Sequence, residues 1–253
     1  MTSTLDCSRQ LIAEGCRILA ARGLADGFLG HISLRVDAGH ALVRCRGPRE
    51  RGLAWTQSED VRIVDFTGAA GLPGELDDWA PPNELPLHTE VLRARPDVRA
   101  VVHAHPPAVV AADLAGLAIR PIVGSYDIPG TKLAAGGVPV YRRGVLIRTH
   151  ALAAEMVAAL GDRPAVLLRA HGLTTVGASV QEAVLRAISV DTIARLSLSI
   201  VSAGGTLADV PEADRAELPD LGSAFNEGVA WRHELARLER AEGTCPVCGA
   251  ETT

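Results

Sequence analysis

Apolar residues recur at helical spacing over residues 5–22, where Leu11, Ile12, Gly15, Ile18 and Leu19 share one stripe. Arg22-Gly23, a basic last turn followed by glycine, ends that helix. Short β-like runs follow at His31–Val36, Ala41–Cys45 and Val61–Phe66, separated by Gly, Asp and Pro. The Gly/Pro/Asp-rich stretch from Thr67 to Pro82 reads as a surface loop leading into a helix over Glu84–Arg95. Val98–His103 is an apolar, β-branched strand, and Pro106–Leu117 returns to helical spacing. Strands are expected around Ile119–Val123, Val138–Tyr141 and Ala165–Arg169, and a helix over Leu152–Leu160. Ser179, with Glu182 three residues on, opens a long helix to Val201.

Strands alternating with helices, some of them hairpin-like neighbours, predict a layered α/β domain with a mixed sheet. From Gly204 the pattern changes to an acidic, proline-marked stretch, then a helix over Ala224–Arg240 and a tail, GTCPVCGAETT, that reads as loose. No internal repeat interrupts this order. We read residues 1–205 as one catalytic domain and 206–253 as a C-terminal extension.

Composition narrows the class without touching the chemistry. The 253 residues are 47% hydrophobic and 22% charged, which excludes wholesale disorder. A net charge of −5 argues against bulk binding to nucleic acid or an anionic membrane. The best candidate for a membrane span, Ala100 to Ile119, carries two histidines, an aspartate and two prolines, so it is not one. No secretory signal is evident at the N-terminus, and the five cysteines form no disulfide framework, so a cytoplasmic protein is expected. Cys245 and Cys248 are half of a zinc-ribbon pattern with no second pair. Only 3% of residues are aromatic; Phe28, Trp79 and Tyr126 are candidates for a pocket wall or for plain core packing.

The strongest local signal is His103-Ala104-His105. Residues i and i+2 of a strand share a face, so both imidazoles can reach one metal ion. An isolated His-X-His is more often a strand cap beside a surface histidine. His171 changes that balance, because it also ends a buried apolar run and precedes Gly172. Three histidines at strand ends form a facial set with open metal positions, the mark of a catalytic site. Glu84 alone reads as a helix-terminal carboxylate. With His88 one turn on, and beside a cation, it becomes a general acid/base candidate.

The order Gly-x-x-Gly-His-Ile-Ser (Gly27–Ser33), Asn83-Glu84 with His88, Ala100–Pro106, Pro139-Val140-Tyr141, Ala170-His171-Gly172 and Gly177-x-Ser179-x-x-Glu182-Ala183 resembles the class II aldolase/adducin family, over about residues 8 to 203. The resemblance implies a three-layer α/β/α fold around a central mixed, mainly antiparallel sheet. It also implies one divalent ion per subunit on His103, His105 and His171, with Glu84 as acid/base. Zn²⁺ suits three imidazoles, with Mn²⁺, Fe²⁺ or Co²⁺ as alternatives. Tyr141 matches a family tyrosine that assists proton transfer across a subunit interface, and a homotetramer with sites near its interfaces is expected.

Departures from the sugar-phosphate members point to the substrate. Glycine and small hydroxyls that cradle phosphate there are replaced by His31, by Pro82-Asn83 and by four arginines within eight residues, Arg44, Arg46, Arg49 and Arg51. Arginine forks suit carboxylates, and this replacement resembles the family's decarboxylase branch. The leading reading is therefore a metal-dependent carbon–carbon lyase that decarboxylates a hydroxylated aromatic dicarboxylate such as a dihydroxyphthalate. In that reading protonated Glu84 delivers a proton to carbon, Arg49 with Arg46 holds the retained carboxylate, and His31 and Asn83 bind substrate. An aldolase or epimerase acting on a sugar or sugar phosphate is the runner-up. A non-catalytic adducin-like module ranks last, because all three histidines are present.

Overall fold

The computed structural model describes residues 4–25, 27–241 and 243. Helix α1 (Thr4–Ala21) packs Ile12, Cys16, Ile18 and Leu19 inward. It ends as its sequence predicts: Gly23 takes a φ of 72°, and the Leu24 N–H reaches back to the Leu19 carbonyl at 2.9 Å. Strands β1 (His31–Arg35), β2 (His40–Arg44) and β3 (Val61–Asp65) form an antiparallel meander. Helix α2 (Leu85–Ala94) follows, then β4 (Ala100–Ala104) and α3 (Pro107–Leu114). The rest of the domain runs α4 (Ile128–Ala134), β5 (Val140–Tyr141), α5 (His150–Leu160), β6 (Ala165–Leu168), β7 (Gly172–Gly177) and α6 (Val180–Ser202).

The seven strands form one open sheet in the order β3-β2-β1-β4-β7-β6-β5, antiparallel throughout except for β5 alongside β6. Strand periodicity sorts the core into two layers. Ala100, Val102, Ala104, Ala165 and Leu167 join the apolar cluster beneath α1, α3, α4 and α6. Val101, Val166, Leu168 and Val176 join the other, beneath α2 and α5. This is the expected three-layer α/β/α arrangement. The α6 cap also forms as expected: Ser179 Oγ accepts from the Glu182 N–H at 3.2 Å, and the Glu182 carboxylate accepts from the Ala178 N–H at 2.7 Å.

The structure departs from the sequence reading in four places. Ile119–Val123 is not a strand: Pro121 interrupts it, and the Val138 N–H to the Ile119 carbonyl is its one bond toward β5. Gly172–Gly177 is a further strand and Ile128–Ala134 a further helix, neither of them announced by the hydrophobic pattern. The C-terminal extension holds more than the one helix expected over Ala224–Arg240. It forms α7 (Glu212–Ala216), a π-helical turn at Ala224–Ala230 and α8 (Trp231–Ala241). Trp231 and Leu238 of α8 enter the α1-side core, and Arg22 pairs with buried Glu234 at 2.5 Å. Cys245 and Cys248, with the rest of residues 244–253, lie outside the described residues.

Candidate active site

Everything chemical gathers where β1 and β4 meet the start of α2. The register sets His31 opposite His103, and Ser33 opposite Val101. His31, Ser33 and His103 therefore share the face covered by α2. Beyond β4, the His105 N–H bonds the Leu24 carbonyl at 3.1 Å, which keeps the chain extended and holds His105 two residues from His103 on the same side.

His171 arrives from the β6–β7 hairpin, whose loop is Arg169-Ala170-His171. A three-residue hairpin wants a left-handed residue, and Ala170 supplies it at a φ of 53° without being glycine. Asp113 of α3, itself buried, braces that strained turn: its carboxylate accepts from the Ala170 N–H at 2.8 Å and from Arg169 at 3.1 Å. Gly172 is required next, because a Cβ there would sit 2.3 Å from the Ala104 carbonyl oxygen.

The result is tight convergence. His105 Nε2 lies 2.8 Å from His103 Nε2 and 3.1 Å from His171 Nε2. One ligand atom from each of His103, His105, His171 and Glu84 falls within 4.8 Å of every other. His103 Nδ1 donates to the Leu173 carbonyl at 3.0 Å, which fixes its tautomer and aims the Nε2 lone pair inward. Burial holds His105 neutral, with its pKa down at about 3, and pushes His171 in the same direction. Glu84 goes the opposite way. Burial alone would raise its pKa, but the hydrogen bond and charge of His103 and the N–H of Ile147 outweigh that and hold it at about 2. Neutral imidazole lone pairs facing one another beside a carboxylate repel unless a cation lies between them. That is the ionisation state a divalent ion demands, so the donor set fits one.

Glu84 is the N-cap of α2 and 4% exposed; its Oε1 accepts from the Ile147 N–H at 2.9 Å, leaving Oε2 3.2 Å from His103. A cleft of about 590 Å³ opens beside it, lined in part by His31, Arg44, Arg46, Asn83, Glu84 and His171. Arg46 is half-buried, and its backbone is tied to Ala80 by paired bonds of 2.9 Å, which anchors it to the segment entering α2. Among the described residues Arg46 forms no ion pair. Buried Arg44 is bound to Glu50 at 2.5 Å.

Arg49 is placed elsewhere. It is 81% exposed, pairs with Glu59 at 2.6 Å and does not line the cleft, because the chain turns outward after Pro48. Arg51 stacks over Trp55. Tyr141 is also outside this cleft, its hydroxyl donating to Glu155 at 2.9 Å, with burial and that carboxylate raising its pKa. Of the three aromatic candidates only Phe28 lines the cleft; Trp79 lies against Arg62 and Tyr126 is exposed. His88 does not join the metal cluster and instead bonds His31 and Ser33, a partnership visible only once β1 lies against α2.

An open α/β/α sheet with three facial histidines at strand ends and a carboxylate at a helix start beside them defines a metal-dependent enzyme of the aldolase type. The chain belongs to the class II aldolase and adducin family: the model of the class II aldolase and adducin N-terminal domain matches residues 10–198. It is 69% identical to a 3,4-dihydroxyphthalate decarboxylase of Terrabacter sp., over 94% of this chain and 100% of that one. It is 66% identical to a protein of the same name from Arthrobacter keyseri, over 92% and 95%. Among solved structures, an aldolase II superfamily protein from Pseudomonas syringae superposes with a TM-score of 0.76 at 22% identity, over 95% of both chains.

Proposed function

We propose that this protein is a metal-dependent decarboxylase of a hydroxylated aromatic dicarboxylate, with 3,4-dihydroxyphthalate as its substrate. The observation that carries the substrate class is Arg46, a guanidinium without an ion pair among the described residues, in the same cleft as Glu84 and the three histidines. High identity to relatives named for that reaction supports the reading. His103, His105 and His171 would hold a divalent ion, Zn²⁺ by preference for an imidazole set, and that ion would supply Lewis acidity to the decarboxylation.

The chain's own groups close the proton count. Glu84 starts as a carboxylate, so it first takes the proton of a ring hydroxyl at Oε2 and then returns it to the ring carbon. A C–H bond forms there as the bond to the carboxylate breaks and CO₂ departs, and solvent reprotonates the ring oxygen on release. Arg46 grips the carboxylate that stays, while His31 and Asn83 orient the ring substituents. The active unit is a homotetramer, in which Tyr141 serves a neighbouring subunit's cleft; half-exposed Phe28, Leu29 and Leu146 at the cleft fit such an interface. Residues 1–205 form the catalytic domain, residues 206–253 are a C-terminal extension whose α8 packs on it, and the protein works in the cytoplasm.

Metal-replete protein incubated with 3,4-dihydroxyphthalate, its monocarboxylate analogues and a panel of sugar phosphates tests this directly. The expected result is CO₂ and a dihydroxybenzoate in equal amounts, with one deuterium at the vacated carbon in D₂O. Cleavage of a sugar phosphate with no CO₂ from any aromatic acid would overturn it.

A further inference from the structure

Behind the cleft, three buried polar groups form a line that reaches the cleft at His31 and is closed at its other end. Ser33 Oγ lies 2.7 Å from His88 Nδ1, and His88 Nε2 lies 2.7 Å from His31 Nδ1. Ser33 and His88 have no exposure, and His31 has only 7%. The 2.7 Å contact between the rings needs one nitrogen to donate and the other to accept, and among the described residues no carboxylate bonds either ring, so each stays neutral in its buried setting and carries a single proton. Two neutral imidazoles and one hydroxyl must then point their protons the same way along the line.

Ser33 decides which way. Its hydroxyl has one proton and, among the described residues, no side-chain partner but His88. Were it to accept from His88, its own proton would be buried without an acceptor, the costlier defect, whereas an unused lone pair is tolerated. Ser33 therefore donates to His88 Nδ1, and His88 donates from Nε2 to His31 Nδ1. That leaves His31 with its proton on Nε2, the ring nitrogen that His88 does not engage, on a side chain that lines the cleft.

We infer that His88, backed by Ser33, is a positioning residue that locks His31 as a hydrogen-bond donor toward an anionic oxygen of the substrate. The identity of that oxygen, a carboxylate or an ionised ring hydroxyl, rests on the decarboxylase reading. The direction of the line does not, since it follows from the protein alone. A site poised to donate favours an oxyanion over a neutral hydroxyl that would itself need an acceptor. The line also explains why the carboxyl-side neighbour of Gly30 is a histidine with a buried partner rather than a free surface imidazole.

Two measurements test this. In metal-loaded protein labelled with ¹⁵N-histidine, the His31 signal, assigned by its loss in His31→Gln, should show the Nε2–H tautomer. A His31 protonated at Nδ1 overturns the inference, whatever substrate the protein turns over. Kinetics supply the second measurement. His88→Leu should raise KM for the dihydroxyphthalate about ten- to a hundredfold, with kcat changed far less and metal content intact. His88→Gln, whose amide N–H can replace the Nε2 donor, should recover most of that loss. Ser33→Ala, a smaller change that spares the fold, should show the same split more weakly. Adding His88→Leu to His31→Gln should cost nothing further, because the first acts only through the second. Additive losses, or ion loss in Ser33→Ala, would show that His88 serves the scaffold and not His31.

Discussion

His103, His105 and His171 leave the ends of central strands, whereas Arg46 and Arg49 sit on the chain that runs out from β2 at the sheet's other flank. The histidines are fixed from several sides: β1 and β7 flank His103, the Leu24 carbonyl holds the His105 backbone, and Asp113 clamps the turn that presents His171. The arginines are held more loosely: the Arg46–Ala80 bridge ties the loop to the segment entering α2, and three residues beyond it Arg49 is exposed, with a surface pair to Glu59. The difference matches two tasks. Metal ligands must agree within fractions of an ångström, so they are built on strands with no freedom to move. Substrate choice is altered by replacing a loop, which leaves the sheet untouched.

The largest effect should come from breaking the rigid half. His103→Ala, His105→Ala and His171→Ala should each strip most of the bound ion and abolish turnover, with metal content read by elemental analysis and folding by circular dichroism. Full occupancy in all three variants would remove the metal assignment. Glu84→Gln should sharpen the contrast by separating chemistry from binding. It is nearly isosteric and keeps the Ile147 contact, so ion and substrate should still bind while the rate falls by about 10²–10⁴. A variant working at the native rate would mean that another group moves the proton.

The same contrast explains what the sequence showed and what it hid. His103 and His105 were legible because period two on a strand is a local property, and His171 because its strand is short and apolar. The β7 strand that follows was hidden by its turn: Ala170 occupies the left-handed position where a glycine would have announced a hairpin. Only the Asp113 brace, more than fifty residues away in sequence, makes that conformation affordable. His88 was visible as a helical neighbour of Glu84, but its real partners come from β1 and depend on packing. Arg46 and Arg49 looked equivalent, since nothing in Arg46-Gly47-Pro48-Arg49 states that the chain turns outward between them.

That last pair gives the smallest and most selective prediction. Arg46 lines the cleft without a carboxylate of its own among the described residues, while Arg49 is exposed and already paired with Glu59. Arg46→Ala should therefore lower kcat/KM for the dicarboxylate by about a hundredfold, and Arg46→Lys should recover part of it, because a point charge cannot reproduce a planar two-point grip. Against a monocarboxylate that lacks the gripped group, Arg46→Ala should change little. Arg49→Ala removes an exposed ion pair, of a kind that contributes about 1 kcal/mol or less to stability, and should leave the preference for the dicarboxylate as it was. Steady-state kinetics on both substrates with both variants decides it. Loss of preference in Arg49→Ala and not in Arg46→Ala would mean that the loop folds inward over the substrate, and that the flexible half of the site is completed only when it is bound.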